Sequence, residues 1–342
     1  MTSIRKSAAV LAGIAALASA NARAQDAIGD FYKGKNVDLY IGYSVGGAYD
    51  VYGRLLARFM GKHIPGNPTV VPRNMEGAGS LRFANWLYQV APKDGTVIGT
   101  FSRGAAFDPL LGVKGAAFDA TKYNWLGSAN DEVSLCVSWK TSDVKTIDDA
   151  MVRELIVGGT GGSADTDQFP KILNGVLGTK MKLVVGYPGG NDVNLAMERG
   201  EVKGRCGWSW SSLNSTAPKW VSEKSINLLV QLSLAKHPDL PNVPLVLDLA
   251  KTEEQKQILT TIFSRQVMGR PFAAPPGVPA ARVDALRRAF DETMKDKEFL
   301  AEAERIGVEI TPVNGLRLQE LVGEIYRNTT PDTARKIADM LK

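Results

Sequence analysis

Apolar positions along the chain switch between a period of two and a period near 3.6. Val37-Asp38-Leu39-Tyr40-Ile41 reads as a strand that ends in a turn at Gly46-Gly47. Val51, Leu55 and Phe59 then recur at i, i+4 and i+8, the spacing of one helix face. Thr69-Val70-Val71, the loop Asn74 to Ser80 (NMEGAGS), a helix carrying Leu81, Phe83, Trp86 and Leu87, and a strand from Thr96 to Thr100 continue the alternation. A second round begins after Trp125. Strands at Ser134 to Ser138 and Leu155-Ile156-Val157 flank a short helix at Thr146 to Met151, and the glycine loop Gly158 to Gly162 follows. Met181 to Val185 runs into Tyr187-Pro188-Gly189-Gly190 ahead of a helix with Val193, Leu195 and Ala196. Residues 201–206 and 226–234 supply two more strands, the second nearly continuous in apolar residues, as in a strand buried within a parallel sheet. From Pro279 the tail is helical, with Val283, Leu286, Phe290 and Met294 at amphipathic spacing. A helix closed by Gly307, another carrying Leu318, Leu321, Val322 and Ile325, and a short one after Pro331 complete it.

Strands alternating with helices predict an α/β protein built on doubly wound, mostly parallel sheets. Residues 1–24 stand apart: Arg5 and Lys6 precede an Ala-rich apolar run from Ala8 to Ala20, and Ala22-Arg23-Ala24 has the A-x-A form of a cleavage site. They read as a secretory signal peptide cut after Ala24. No later run is long enough to span a bilayer. The remaining 318 residues suit two lobes better than one core. The second round of strands places lobe 2 at 132–234 as one continuous insertion, with lobe 1 made of 25–131 and 235–342. The chain then crosses between lobes twice, and the helical tail packs back on lobe 1.

Composition narrows the chemistry. Loss of Arg5, Lys6 and Arg23 with the leader takes the formal charge from +5 to +2, and Lys and Arg are scattered with no basic stripe interleaved with aromatics, which excludes a nucleic-acid surface. Two cysteines, Cys136 and Cys206, fall in strand-like runs of one lobe in a chain addressed to an oxidising compartment, so one disulfide between them is expected, with two buried thiols as the alternative. Only two histidines, His63 and His237, are present, and each sits in a Pro-flanked stretch, so neither a metal site nor any cofactor is expected.

Glycine turns that open helices are natural seats for anions, because the first helical N–H groups lack internal partners and the helix dipole favours negative charge there. Four such loops, at Gly46-Gly47, Gly77-Ala78-Gly79, Gly161-Gly162 and Gly189-Gly190, fall at strand C-terminal ends, where ligands bind in open α/β sheets. Each taken alone is equally a plain tight turn. Two of them echo one another, YSVGGAYDV near residue 47 and YPGGNDVNL near residue 190. Gly42-Tyr43-Ser44-Val45-Gly46 also matches the G-x-S-x-G nucleophile elbow, so an exported serine hydrolase using Ser44 is the alternative. It would need an acid and His237 to complete a triad, and the elbow here follows the first strand rather than several. No glycine loop completes a dinucleotide fingerprint.

The run "IGYSVGGAYDVYGRLLARFM … VPRNMEGAGSLRFANWLYQVAPKDGTVIGTFS", followed by "VGGTGGSADTD", "GYPGGNDVNLAMERGEVKGRCGW", "HPDLPNVPLV" and "GRPFAAPPGVPAARVDALRRAF", resembles the extracytoplasmic solute receptors of tripartite tricarboxylate transporters, the Bordetella uptake gene family. The resemblance covers nearly all of the chain after the leader, in order. It implies a type II periplasmic binding fold, no catalysis, and capture of an organic acid for delivery to membrane permease subunits, with a monomeric receptor expected. Presentation to a sensor kinase is a further possibility of another class. It carries the carboxylate seats onto Gly46, Gly47, Ala48 and Asp50, onto Gly77, Ala78 and Gly79, and onto Thr160, Gly161, Gly162 and Ser163. Ser44, Ser102, Tyr187, Gly189 and Gly190 complete the expected cleft. Where the family commonly has a His after the second-lobe glycine-serine turn, this chain has Asp165-Thr166-Asp167-Gln168. Asp165 and Asp167 either cap a helix or face a ligand hydroxyl or amine. Arg103 is either a carboxylate clamp or a surface residue, and Trp208 is either core or cleft wall.

Overall fold

A computed structural model describes residues 26–342; the leader assigned to 1–24 lies outside the described residues. Two sheets form the frame. Strands β1 (Asn36–Ile41), β2 (Thr69–Asn74), β3 (Val97–Thr100) and β4 (Asn124–Ser128) build the first, joined late in the chain by β10 (Pro271–Ala274) and β11 (Val313–Asn314) in the order β11-β4-β10-β3-β1-β2. Strands β5 (Ser134–Trp139), β6 (Glu154–Gly158), β7 (Lys180–Val184), β8 (Gly204–Ser209) and β9 (Ile226–Leu232) build the second, in the order β7-β6-β8-β5-β9. In each sheet one strand that arrives from the other lobe, β10 or β5, is inserted antiparallel between neighbours that share one direction. The same order recurs in both sheets.

Helices cover both sheets: α1 (26–32), α2 (Ala48–Met60) and α3 (Leu81–Gln89) in the first lobe, and α4 (Ile147–Val152), α5 (Asp165–Leu177), α6 (Gly190–Glu198), α7 (Trp210–Thr216), α8 (Pro218–Ser222) and α9 (Glu253–Phe263) in the second. The tail adds α10 (Ala280–Thr293), α11 (Lys297–Arg305), α12 (Gly315–Asn328) and α13 (Pro331–Leu341). Burying Tyr52, Leu55, Leu56 and Met60 of α2 against Leu39 and Ile41 of β1 removes their apolar surface from water, roughly 1.5–3 kcal/mol for each large side chain. A separate apolar cluster runs across both lobes, joining Phe83, Phe101 and Trp125 to Phe169, Ile172 and Phe263. Among the described residues no helix is long and apolar enough to cross a membrane.

Three expectations need correction. The apolar run at β9 pairs antiparallel with β5 instead of lying between parallel neighbours. Its apolar character reflects cover by the 237–245 loop, which the Gln231 side-chain amide pins by donating to the carbonyls of Leu240 (3.0 Å) and Val243 (2.6 Å). The return to the first lobe also comes later than residue 235, because Ile258, Leu259, Ile262 and Phe263 of α9 bury themselves in the core that holds Phe169 and Leu173 of α5. Finally, α10, α11 and α12 pack on the first lobe, but α13 crosses again: Met340 lies against Gly175 of α5, Lys171 Nζ donates to the Leu341 carbonyl (2.7 Å), and Lys336 pairs with Glu254. The lobes are therefore spanned three times.

Cys136 of β5 and Cys206 of β8, both buried, face one another across neighbouring strands with Cα atoms 3.9 Å apart. A bond between them closes a loop of 70 residues, which by chain entropy stabilises the fold by about 2–4 kcal/mol. Intact mass without reductant should fall two hydrogens short of the dithiol, and reduction should lower the denaturant midpoint. A full dithiol mass would show two buried thiols instead.

Candidate functional site

The lobes meet along their βα turns in a crossed arrangement. The first turn of lobe 1 abuts the second parallel-strand turn of lobe 2: Asn191 Nδ2 donates to the Gly46 carbonyl (2.6 Å) and Ser44 Oγ to Asp192 Oδ2 (3.1 Å). The second turn of lobe 1 abuts the first of lobe 2, where the Gly79 N–H donates to the Thr160 carbonyl (3.0 Å). Backbone approaches backbone so closely here that a Cβ on Gly79 would come within 2.5 Å of the Ala164 nitrogen, and its φ of +68° already suits glycine. The two echoing glycine motifs thus touch each other.

Between these contacts lies a cavity of about 60 Å³, room for roughly four or five water-sized groups. Its walls include the first turns of α2 (Ala48, Tyr49), α5 (Asp165, Thr166) and α6 (Gly190). None of these three helices has a side-chain cap, so their first-turn N–H groups and dipoles bear on the same small space. Three guanidinium groups, from Arg103, Arg205 and Arg270, line it against one carboxylate, Asp165.

Arg103, on the turn after β3, reaches across to lobe 2, donating from Nε to Asp165 Oδ2 (2.6 Å) and from Nη2 to Ser134 Oγ (2.7 Å) and Ser209 Oγ (3.2 Å). Burial is the largest influence and opposes its charge, but Asp165, Tyr49 and Glu132 together outweigh it and hold the guanidinium above its ordinary value. Arg270 precedes β10, bonds Ser212 Oγ (2.6 Å) and lies 3.6 Å from Glu132, which also accepts from the Ser211 hydroxyl. Arg205 of β8 lies 4.5 Å over the Trp208 ring and donates from Nη1 to the Gly190 carbonyl (3.1 Å) and Asn194 Oδ1 (2.9 Å). Burial pushes it down to about 9, with Tyr43 opposing and Arg270 adding to the shift, so it remains a cation at neutral pH.

Gly47, Ala48, Ser102, Arg103, Thr160, Asp165 and Gly190 from the sequence reading line the cavity. The others do different work. Gly46, Gly79, Gly161, Gly189 and Ser44 form contacts between the lobes, with Gly77 and Ala78 in the same turn as Gly79, while Gly162 is exposed and Ser163 accepts at its carbonyl from Ser102 Oγ (2.9 Å). Asp50 turns away from the cavity to Arg54, Asn74 and the Gly46 N–H. Asp167 braces its own loop by accepting from the Gly161 N–H (2.9 Å). Tyr187 sits by Glu201 outside the cleft, and Trp208 is core, serving as a shelf beneath Arg205. Ser44 bonds Asp192, while His237 accepts from the Asp239 N–H, so the elbow's serine and histidine do not meet. Gly47 has an ordinary φ of −75°; the left-handed glycine of that turn is Gly46 at +83°. Sequence reasoning missed Tyr43, Tyr49, Thr166, Arg205, Gly207, Ser209, Ser212 and Arg270. Among the described residues no cluster of three or more His, Cys, Asp or Glu is placed to hold a metal ion.

No family model and no curated protein matches the chain. Solved structures do. The periplasmic binding protein BugD superposes with a TM-score of 0.72 at 18% identity, covering 90% of this chain and 98% of its own. A Rhodopseudomonas palustris protein, Rpa4515, solved with adipate, gives 0.69 at 16% identity over 90% and 98%. MatC from Rhodopseudomonas palustris, with bound malate, gives 0.69 at 18% over 90% and 99%. At these identities the likeness establishes the fold: this is a two-lobed periplasmic-binding-protein fold.

Two tests follow from the contacts between lobes. Gly79→Val should weaken ligand binding at least tenfold in calorimetry while leaving the circular dichroism spectrum intact, since a side chain there holds the lobes apart. Asp108, buried beside Gln168 (3.0 Å) of the other lobe, has its carboxyl pushed up to about 6, chiefly by burial. Between the ordinary 3.8 and 6 the folded state keeps a proton that the unfolded chain releases, so this group's contribution to stability falls as pH rises through that window. Asp108→Asn should therefore be more stable than the parent at pH 7.5, by up to about 3 kcal/mol, with the gap closing towards pH 4. A gap that does not change with pH in denaturant melts would refute this.

Proposed function

We propose that the protein is an extracytoplasmic solute receptor that captures a small organic acid between its lobes and delivers it to a membrane transporter of the tripartite tricarboxylate type, without transforming it. The observation that carries this reading is the cavity itself. Three uncapped helix N-termini and three guanidinium groups face one carboxylate in a closed space between two lobes, an environment whose sign calls for an anion. The leader pattern at 1–24 supports export, and the fold's occurrence in proteins solved with adipate and malate supports an acid as cargo. Lobes that close over a ligand also suit capture and release through a hinge. The hydrolase alternative has no support in the site, since Ser44 is engaged by Asp192.

Thermal melts and calorimetry against mono-, di- and tricarboxylic acids, malate and adipate included, test the reading. A cognate acid at a hundred times its Kd should stabilise the fold by about 2.7 kcal/mol. If no acid shifts the melt or releases heat, the proposal fails.

A further inference from the structure

Four arginines are buried among the described residues, Arg103, Arg205, Arg265 and Arg270. Three have acid partners: Arg103 and Arg265 share Asp165, at 2.6 and 3.6 Å, and Arg270 has Glu132 at 3.6 Å. Arg205 has none. The residue is only 9% exposed, its Nε lacks any hydrogen-bond partner, and its Nη1 reaches only neutral oxygens. Taking an ion out of water costs several kcal/mol unless a counter-charge offsets it, so an unpaired guanidinium is not expected merely to hold a fold together. It is also deliberately housed. The group lies where a side chain on Gly190 would sit, and the Trp208 face supports it from below. Around it, the α6 N-terminus and Arg270 add positive potential, and the Tyr43 hydroxyl is buried and kept neutral by that burial.

We infer that Arg205 is the specificity-determining residue of the cleft: the ligand's carboxylate is its missing counterion, and its charge, more than the glycine-turn amides, separates acids from neutral isosteres. The inference rests on the receptor reading above and names the residue that enforces it. The amides of α2 and α5 can donate to any oxygen acceptor, charged or neutral, whereas Arg205 sets a requirement for net charge. Asp165 is not its counterion: that carboxylate pairs with Arg103 at 2.6 Å and Arg265 at 3.6 Å and makes no ion pair with Arg205. Binding is thereby tied to charge neutralisation on the second lobe, close to where the first lobe closes over it.

The test uses the full exported chain as parent, Arg205→Gln and Arg205→Lys, with malate, succinate and its half-amide succinamate as probes, followed by calorimetry and by tryptophan fluorescence, which Trp208 beneath the guanidinium should report. Each charge-assisted hydrogen bond lost predicts a ten- to more than hundredfold weakening. Arg205→Gln should bind the diacids at least tenfold more weakly and lose the preference for succinate over succinamate, with Arg205→Lys recovering part of both. In ligand-free buffer Arg205→Gln should melt at or above the parent, since it removes an uncompensated buried charge. A Gln variant within tenfold of the parent, or one that melts several degrees lower without ligand, would overturn the inference and make Arg205 a brace for the Gly190 turn. If the parent binds no acid in the wider panel, the receptor reading fails, and the ligand-free melts alone judge whether Arg205 is unpaired charge or brace.

Discussion

One guanidinium holds the closed arrangement together. Arg103 leaves the first lobe at the end of β3 and finds every side-chain partner, Asp165, Ser134 and Ser209, on the second. Such a pair, buried on both sides, forms only when the lobes are shut: separation regains the hydration of both ions but loses their attraction and the serine hydrogen bonds, so the pair specifies the closed geometry. The neighbouring contacts follow from that closure. Ser102 reaches the Ser163 carbonyl from the adjacent position, and the Arg103 N–H donates to the Tyr49 hydroxyl at 3.1 Å, fixing the ring that walls the cavity.

The crossed meeting of the βα turns is a consequence of building two lobes with the same strand order and facing them. Each sheet presents two parallel-strand turns at its C-terminal edge, and a near two-fold relation brings the first turn of one lobe to the second of the other. That is why glycine recurs at Gly46, Gly79, Gly161 and Gly189: at least at Gly79 and Gly161, backbone lies against backbone with no space for a Cβ. The same geometry brings three helix N-termini to one point, so that an anion site arises from topology before any side chain is chosen.

Much of this frame was legible in the residues. The helix face of Val51, Leu55 and Phe59, the strand at Val37 to Ile41 and the tail helices follow from periodicity, and the glycine turns mark the edge where the lobes meet. Less legible was what each turn does. Periodicity places Gly46 and Gly79 at strand ends but cannot foresee that both make contacts between the lobes. The four-residue strand Pro271–Ala274 is too short to show a period, so the late re-entry into the first sheet and the attachment of α9 to the second were hidden. Likewise α13 has an ordinary amphipathic pattern, which says that one face is buried but not against which lobe. Arg205 in KGRCGW and Arg270 in MGRPF carried no signal, since a single arginine is by default at the surface.

The division of labour within the cleft follows from the energies of its parts. Helix N-terminal amides contribute partial charges that favour an anion by roughly 0.3–1 kcal/mol each when exposed and up to about 2 when partly buried. They also accept water or a neutral carbonyl at little loss, so alone they would make a permissive receptor. Arg103 and Arg270 already have acid partners, Asp165 (shared with Arg265) and Glu132, and they brace the lobes and the walls. On the receptor reading proposed above, a cation without an acid partner would convert the cavity from one that tolerates acids into one that requires them, and among the buried arginines of the described residues that position belongs to Arg205.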